Sequence, residues 1–150
     1  MLPAPITSFV GRAPERAAVA AAVVEHRLVT LLGPGGSGKS RLADETARDG
    51  PLPLLGFVEL SPAGPDTVLP LAVLAGCGVR DDPGVAPRDR LVDHLRDRSG
   101  LLVLDTCEHV RTGVAELLDD LLPRCTDLHV LATSRVVLGL VGEAVVALAG

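Results

Sequence analysis

Tyrosine and tryptophan are absent from the 150 residues, and Phe9 and Phe57 are the only aromatics. A core built here has to come from leucine, valine and alanine. The stacked aromatic platforms that hold single-stranded nucleic acid cannot be assembled. Positive charge is also scarce: Lys and Arg total 14 against 19 Asp and Glu, a formal net charge of −5. That balance argues against bulk electrostatic grip on a nucleic-acid backbone, so no direct nucleic-acid contact is expected of this segment. No apolar run approaches the roughly 18 residues of a membrane-spanning helix. The opening MLPAPITSFVGR lacks a basic start followed by an apolar stretch, so neither a membrane role nor a secretory leader is expected. Three widely spaced cysteines, Cys77, Cys107 and Cys125, fit a reducing, cytoplasmic setting. One cation is nearly missing: thirteen are arginine and one, Lys39, is lysine.

What is present is a chain of one-domain length with 47% hydrophobic residues, which excludes global disorder. Five short apolar runs stand out: LVTLL (28–32), LLGFVEL (54–60), LLVLD (101–105), HVLAT (129–133) and AVVAL (144–148). They are continuous rather than alternating, the pattern of strands covered on both faces in a parallel sheet. Between them the spacing predicts helices over 14–26, 39–49, 87–98 and 113–125, with a fainter helical hint within 66–76. Strands alternating with helices point to a three-layer α/β fold with a mostly parallel five-stranded sheet.

The lone lysine lies in Gly33-Pro34-Gly35-Gly36-Ser37-Gly38-Lys39-Ser40, which matches G-x-x-x-x-G-K-[ST] at every fixed position. An apolar strand enters it and a helix leaves it, the context that a phosphate-binding loop requires. Glycines let successive backbone N–H groups face one anion, and the helix aims its positive end at the same place. A compact ammonium on a flexible stem reaches β- and γ-phosphate oxygens where a planar guanidinium fits poorly. Ser40 supplies a hydroxyl for Mg²⁺. The bland alternative is a glycine-rich turn capping a helix, with Lys39 solvated.

LLVLDTCEH carries Asp105 out at the end of a buried strand, on the side where parallel α/β sheets bind ligands. Asp105 is the candidate to hold Mg²⁺ opposite Ser40, directly or through water, although an aspartate there can also cap a helix or turn. Glu108 is a candidate to polarise an attacking water, with a solvated turn acid as the alternative. Thr106 takes the place where many ATPases carry a second acid, and a hydroxyl is no general base near neutral pH, so hydrolysis is expected to be slow. LATSR (131–135) ends the fourth strand with Thr133, Ser134 and Arg135, a polar tip that is a candidate to bond a γ-phosphate with Arg135 balancing its charge; the alternative is that Ser134 caps a turn and Arg135 faces solvent. The cofactor-binding set runs through Gly33, Pro34, Gly35, Gly36, Ser37, Gly38, Lys39, Ser40 and Arg41 to Ser134. Cys107, His109, Cys125 and His129 match no strong zinc spacing.

Four stretches, TSFVGRAPE (7–15), VTLLGPGGSGKSRLA (29–43), LLVLDTCEHV (101–110) and LATSRVVLGLVGE (131–143), together resemble the nucleotide-binding domain of STAND-class signalling ATPases. The likeness is to large bacterial transcriptional regulators of the AfsR/SARP and LuxR (LAL) types, with kinship to NB-ARC and AAA+ proteins. It implies a P-loop NTPase core of RecA/AAA+ kind, ATP and ADP with Mg²⁺ as ligands, and contact with other regulator domains or self-association. It further implies base-side contacts from Val10, Gly11 and Arg12, with Glu15 fixing that element. The sequence ends at Gly150, short of the lid and winged-helix regions of such proteins, so a fragment of a larger regulator is expected. VVLGLVGE also lacks the Glu-Pro that relatives often show after the arginine. The expected function is a nucleotide switch with weak ATPase activity. The competing expectations are a small-molecule kinase and an inert truncated module.

Overall fold

The five apolar runs become the strands of one sheet. In the computed structural model, which describes residues 13–80 and 82–149, these are β1 (Leu28–Leu32), β2 (Leu54–Glu59), β3 (Gly100–Asp105), β4 (Leu128–Ser134) and β5 (Glu143–Ala147). Their order across the sheet is β2-β3-β4-β1-β5, and every pairing is parallel. The helices are α1 (Ala13–Glu25), α2 (Lys39–Asp49), α3 (Leu69–Gly76), α4 (Pro87–Leu95) and α5 (Arg111–Arg124), with a 3-10 turn over Glu108–Val110.

Side chains alternate across a strand, so a strand between two helical layers must be apolar at every position. β3 shows this directly. Leu102 and Leu104 join a core with Leu74 of α3, Leu91 of α4 and Leu118 of α5, whereas Leu101 and Val103 join one with Val19 of α1 and Leu42 of α2. Each fully buried leucine contributes about 1.5–3 kcal/mol relative to an exposed one, enough to hold the layers without aromatic bulk. The result is the three-layer α/β fold of the P-loop class.

Differences from the sequence reading are confined to element ends. The stripe predicted over 87–98 stops as a helix at Leu95, where the Arg96 N–H still reaches Val92 O and Arg98 turns its Nε onto His94 O. α5 starts at Arg111, two residues before the expected Gly113, because the 3-10 turn leads straight into it.

The connection from β4 to β5 (residues 135–142) contains no helix, yet it is anchored. Leu138 is buried in the core beneath it. The Glu143 carboxylate accepts the N–H groups of Leu138 and Gly139, each at 2.9 Å, and the hydroxyl of buried Thr30 in β1 at 2.5 Å. Burial alone would raise the Glu143 pKa, but the Thr30 hydroxyl and the amides of Leu138, Gly139 and Leu140 outweigh it and hold the carboxyl below its ordinary value.

Candidate functional site

The strand order puts the carboxyl ends of β3, β4 and β1 side by side, and the candidate residues leave the sheet from those three tips. β1 delivers the loop 33–38, whose first N–H, that of Gly33, bonds Ser134 O at 3.2 Å. Gly36 and Gly38 have φ of 79° and 89°, left-handed values that a side chain disfavours. Gly38 is also the N-cap of α2 and offers no side-chain acceptor, and no acidic residue occupies the first helical turn. The first-turn amides therefore receive no side-chain capping oxygen from Gly38. Lys39 curls back over the loop, its Nζ donating to Pro34 O at 2.9 Å. Burial lowers its pKa, the Glu108 carboxylate opposes that shift, Arg135 adds to it, and Asp105 opposes it more weakly.

Asp105 is 7% exposed at the tip of β3. Its Oδ1 accepts the Ser40 hydroxyl at 2.8 Å and the Thr133 hydroxyl at 2.5 Å. Thr133 Oγ1 in turn accepts the Thr106 N–H at 2.8 Å, and Thr133 O accepts the Cys107 N–H at 2.9 Å. Thr106 is the one non-glycine among the described residues with positive φ, 67°, in a region that costs a β-branched residue conformational energy. The bend it makes turns the chain away from Asp105 into the 3-10 turn and brings Glu108 round to face β4. There Glu108 Oε1 accepts the Arg135 N–H at 3.3 Å, and Oε2 lies 3.9 Å from Arg135 Nε. The Arg135 guanidinium rests on Gly35 so closely that a Cβ there would overlap it.

The loop glycines, Lys39, Ser40, Asp105, Glu108 and Arg135 thus meet beyond the carboxyl ends of the central strands. Arg41 is exposed on the first turn of α2. Ser37 is buried, and its hydroxyl has no partner among the described residues. Ser134 takes the turn-capping place, the alternative to a phosphate contact. It is fully buried, and its hydroxyl accepts the Val136 N–H at 3.1 Å to close a turn. The polar side chain that β4 sends to Asp105 is Thr133, because alternation along the strand turns neighbouring residues to opposite faces. The sequence places Thr133 in the polar tip LATSR as a candidate phosphate contact, and its bond to Asp105 emerges only from the register of β4 against β3. Thr30 and Glu143 were unmarked, since they lie 113 residues apart in the chain. Val10, Gly11 and Arg12 lie outside the described residues, while Glu15 sits in the first turn of α1. The four residues weighed for zinc are engaged elsewhere. His109 Nε2 is 2.6 Å from Leu60 O, His129 Nδ1 is 3.1 Å from His26 O, and Cys107 and Cys125 are buried free thiols. Burial, reinforced by the Asp105 and Glu108 carboxylates, pushes Cys107 up to about 12, which favours the thiol over the thiolate. Among the described residues no helix is long and apolar enough to cross a membrane.

Fold and loop together define the P-loop type of α/β domain. No protein-family model matches the chain. The chain is 40% identical over 128 residues to a Mycobacterium bovis protein whose name describes it as a candidate HTH-type transcriptional regulator, and equally similar to one so named in Mycobacterium tuberculosis. It is 38% identical over 144 residues to an uncharacterised protein of Mycobacterium tuberculosis. The matches cover 82% and 92% of this chain, but the chain spans only 14% of the first two relatives and 36% of the third. A similar solved structure is that of a Signal Transduction ATPase with Numerous Domains carrying a tetratricopeptide repeat sensor, from Pyrococcus horikoshii. It has a TM-score of 0.58 and 17% identity, over 90% of this chain and 22% of that one. At that identity the likeness is one of fold.

Proposed function

We propose that this chain is the nucleotide-binding switch module of a larger transcription-regulating protein, binding ATP or ADP with Mg²⁺ and hydrolysing ATP slowly. The observation that carries the reading is the Ser40–Asp105 contact at 2.8 Å beside the Lys39 loop. Two hard oxygen donors from different elements converge next to a ring of amides and an ammonium, the donor set that Mg²⁺ takes while keeping several waters. Ser40 and Asp105 would hold the ion, which would screen the phosphate charge. Lys39 and the amides of Gly35, Gly36, Gly38, Lys39 and Ser40 would hold the β- and γ-phosphates, with Arg41 flanking them. Thr133 fixes the Asp105 carboxylate by hydrogen bond. Glu108 is the residue placed to polarise a water, and Thr106 supplies no second carboxylate, which supports slow turnover.

The regulatory part of the proposal rests on the relatives' names and on the resemblance to AfsR/SARP and LuxR (LAL) proteins, and through them to NB-ARC and AAA+ domains. In that setting Val10, Gly11 and Arg12 would contact the base side, and the partners are further domains of the regulator or a second copy, in the cytoplasm. A switch of this kind acts only if ATP and ADP favour different arrangements of those partners.

One observation favours small-molecule phosphoryl transfer as a second reading. A cleft of about 560 Å³ opens beside Glu108, bounded by Gly64, Thr67, Leu69, His109 and Arg111, and it has room for an acceptor. Titration of the protein with ATP and ADP, with and without Mg²⁺, separates these readings. The switch reading expects Mg²⁺-dependent ATP binding that Asp105→Asn weakens about tenfold or more, the scale of losing a ligand-supporting contact. Fast phosphate transfer to an added small alcohol or amine would favour the kinase. Absence of binding at millimolar nucleotide would overturn both.

A further inference from the structure

We propose that the cleft between residues 61–68 and the first turn of α5 is a second ligand site, shaped for a small organic acid and separate from the phosphate loop. The inference goes beyond both readings above, because it requires neither a nucleotide nor the transfer of phosphate.

The cleft has a volume of about 560 Å³, within the range of small-molecule sites, and the phosphate loop contributes nothing to its lining. Its two walls come from segments far apart in the chain. One carries Pro65 and Thr67, the other His109, Arg111 and Thr112. Between them Leu69 of α3 packs on Gly113 of α5, so closely that a Cβ on Gly113 would lie 2.7 Å from Leu69 Cδ1. Among the described residues one side-chain hydrogen bond joins the two segments, from His109 Nε2 to Leu60 O at 2.6 Å. A carbonyl only accepts, so Nε2 carries the proton. The Leu60 N–H in turn bonds Asp105 O at 2.8 Å. Both walls are thereby fixed to the tip of β3, and the cleft is preformed.

Pro65, Leu69 and Val110 give the cleft an apolar side suited to a short hydrocarbon. Arg111 gives it a charge. Its guanidinium is exposed and pairs with no carboxylate among the described residues, whereas Arg88 and Arg124 share Asp120 and Arg96 lies against Asp93. The one carboxylate lining the cleft, that of Glu108, is turned to Arg135, with Oε2 3.9 Å from its Nε. The planar fork of Arg111 is therefore free for an incoming carboxylate. Thr67 Oγ1 accepts the Gly64 N–H at 2.8 Å and keeps its own proton to donate to a ligand.

The test is an amide NMR titration of the full chain with sodium pentanoate, with pentanol and pentylamine as neutral and cationic controls of the same length. Pentanoate is expected to bind with affinity on the order of millimolar and to shift the Thr67, Thr112 and Gly113 amides. Arg111→Gln is expected to weaken that binding about fivefold, the upper end for an exposed ion pair. Unshifted core amides in the variant would verify that its fold is kept. An equal response to pentanol or pentylamine, or an unchanged affinity in Arg111→Gln, would overturn the inference. So would shifts confined to the Gly35, Gly36 and Gly38 amides, which would put the anion in the phosphate loop and leave the nucleotide reading intact. A titration that moves no cleft amide would overturn it as well.

Discussion

At the scale of single residues, the acidic side of the site depends on two threonines. Thr106 holds a left-handed backbone with a β-branched side chain, a conformation that asparagine adopts far more readily. Thr106→Asn is expected to raise stability by about 0.5–1 kcal/mol, read as a higher denaturant midpoint at unchanged slope. A lower midpoint would mean that the threonine side chain contributes more than its backbone strain costs. Thr133 donates to Asp105 in a buried bond and accepts from the Thr106 N–H in a partly buried one. Thr133→Val keeps the shape and removes both bonds, leaving the partly buried Thr106 N–H and the Asp105 carboxylate without that partner. We expect a loss of about 1–3 kcal/mol in stability, together with a weaker Mg²⁺ dependence of nucleotide affinity. Stability lost with that Mg²⁺ dependence intact would reduce Thr133 to a packing residue.

At the scale of elements, the strands were legible because two helical layers demand unbroken apolar runs, and LVTLL and LLVLD can satisfy little else. The helix from Lys39 to Asp49 was legible for a similar reason, with glycine on both sides to start and stop it. The β4–β5 connection was not legible, since its order comes from a single carboxylate rather than from periodicity. Glu143 gathers the amides of Leu138 and Gly139 and the Thr30 hydroxyl, and so ties the stretch beginning at Arg135 to the strand that feeds the phosphate loop. Its folded-state pKa lies below the ordinary 4.5, so its contribution is fully present above that value and is lost as pH falls through the folded-state pKa. Thermal melts from neutral pH down to the acid range should therefore show the parent losing stability faster than Glu143→Gln, which lacks the titrating group. Parallel acid profiles would contradict the anchoring role of the ionised carboxylate.

At the scale of the whole molecule, one arrangement relates fold to chemistry: an all-parallel sheet in which β1 lies between β4 and β5 and three functional tips gather beyond the carboxyl ends of the central strands. The phosphate loop could be read from the sequence because its chemistry is contiguous. The acid cluster could be read only in part: Asp105, Glu108 and Arg135 were visible as candidates, but their pairing across strands, and the bond of Thr133 to Asp105, depend on the sheet. Sequence alone showed LATSR as a polar tip but could not say which of Thr133 and Ser134 faces Asp105. The register of β4 against β3 decides it.

The claim on which the rest depends is that Lys39 sits over a phosphate site and acts there as an ammonium on a flexible stem. The direct measurement is calorimetric titration of MgADP into the parent protein, Lys39→Ala and Lys39→Arg. The account predicts saturable binding by the parent, loss to at or below detection for the alanine variant, and no full rescue by arginine despite the retained charge. Equal affinities for all three proteins, with the fold intact by circular dichroism, would contradict it.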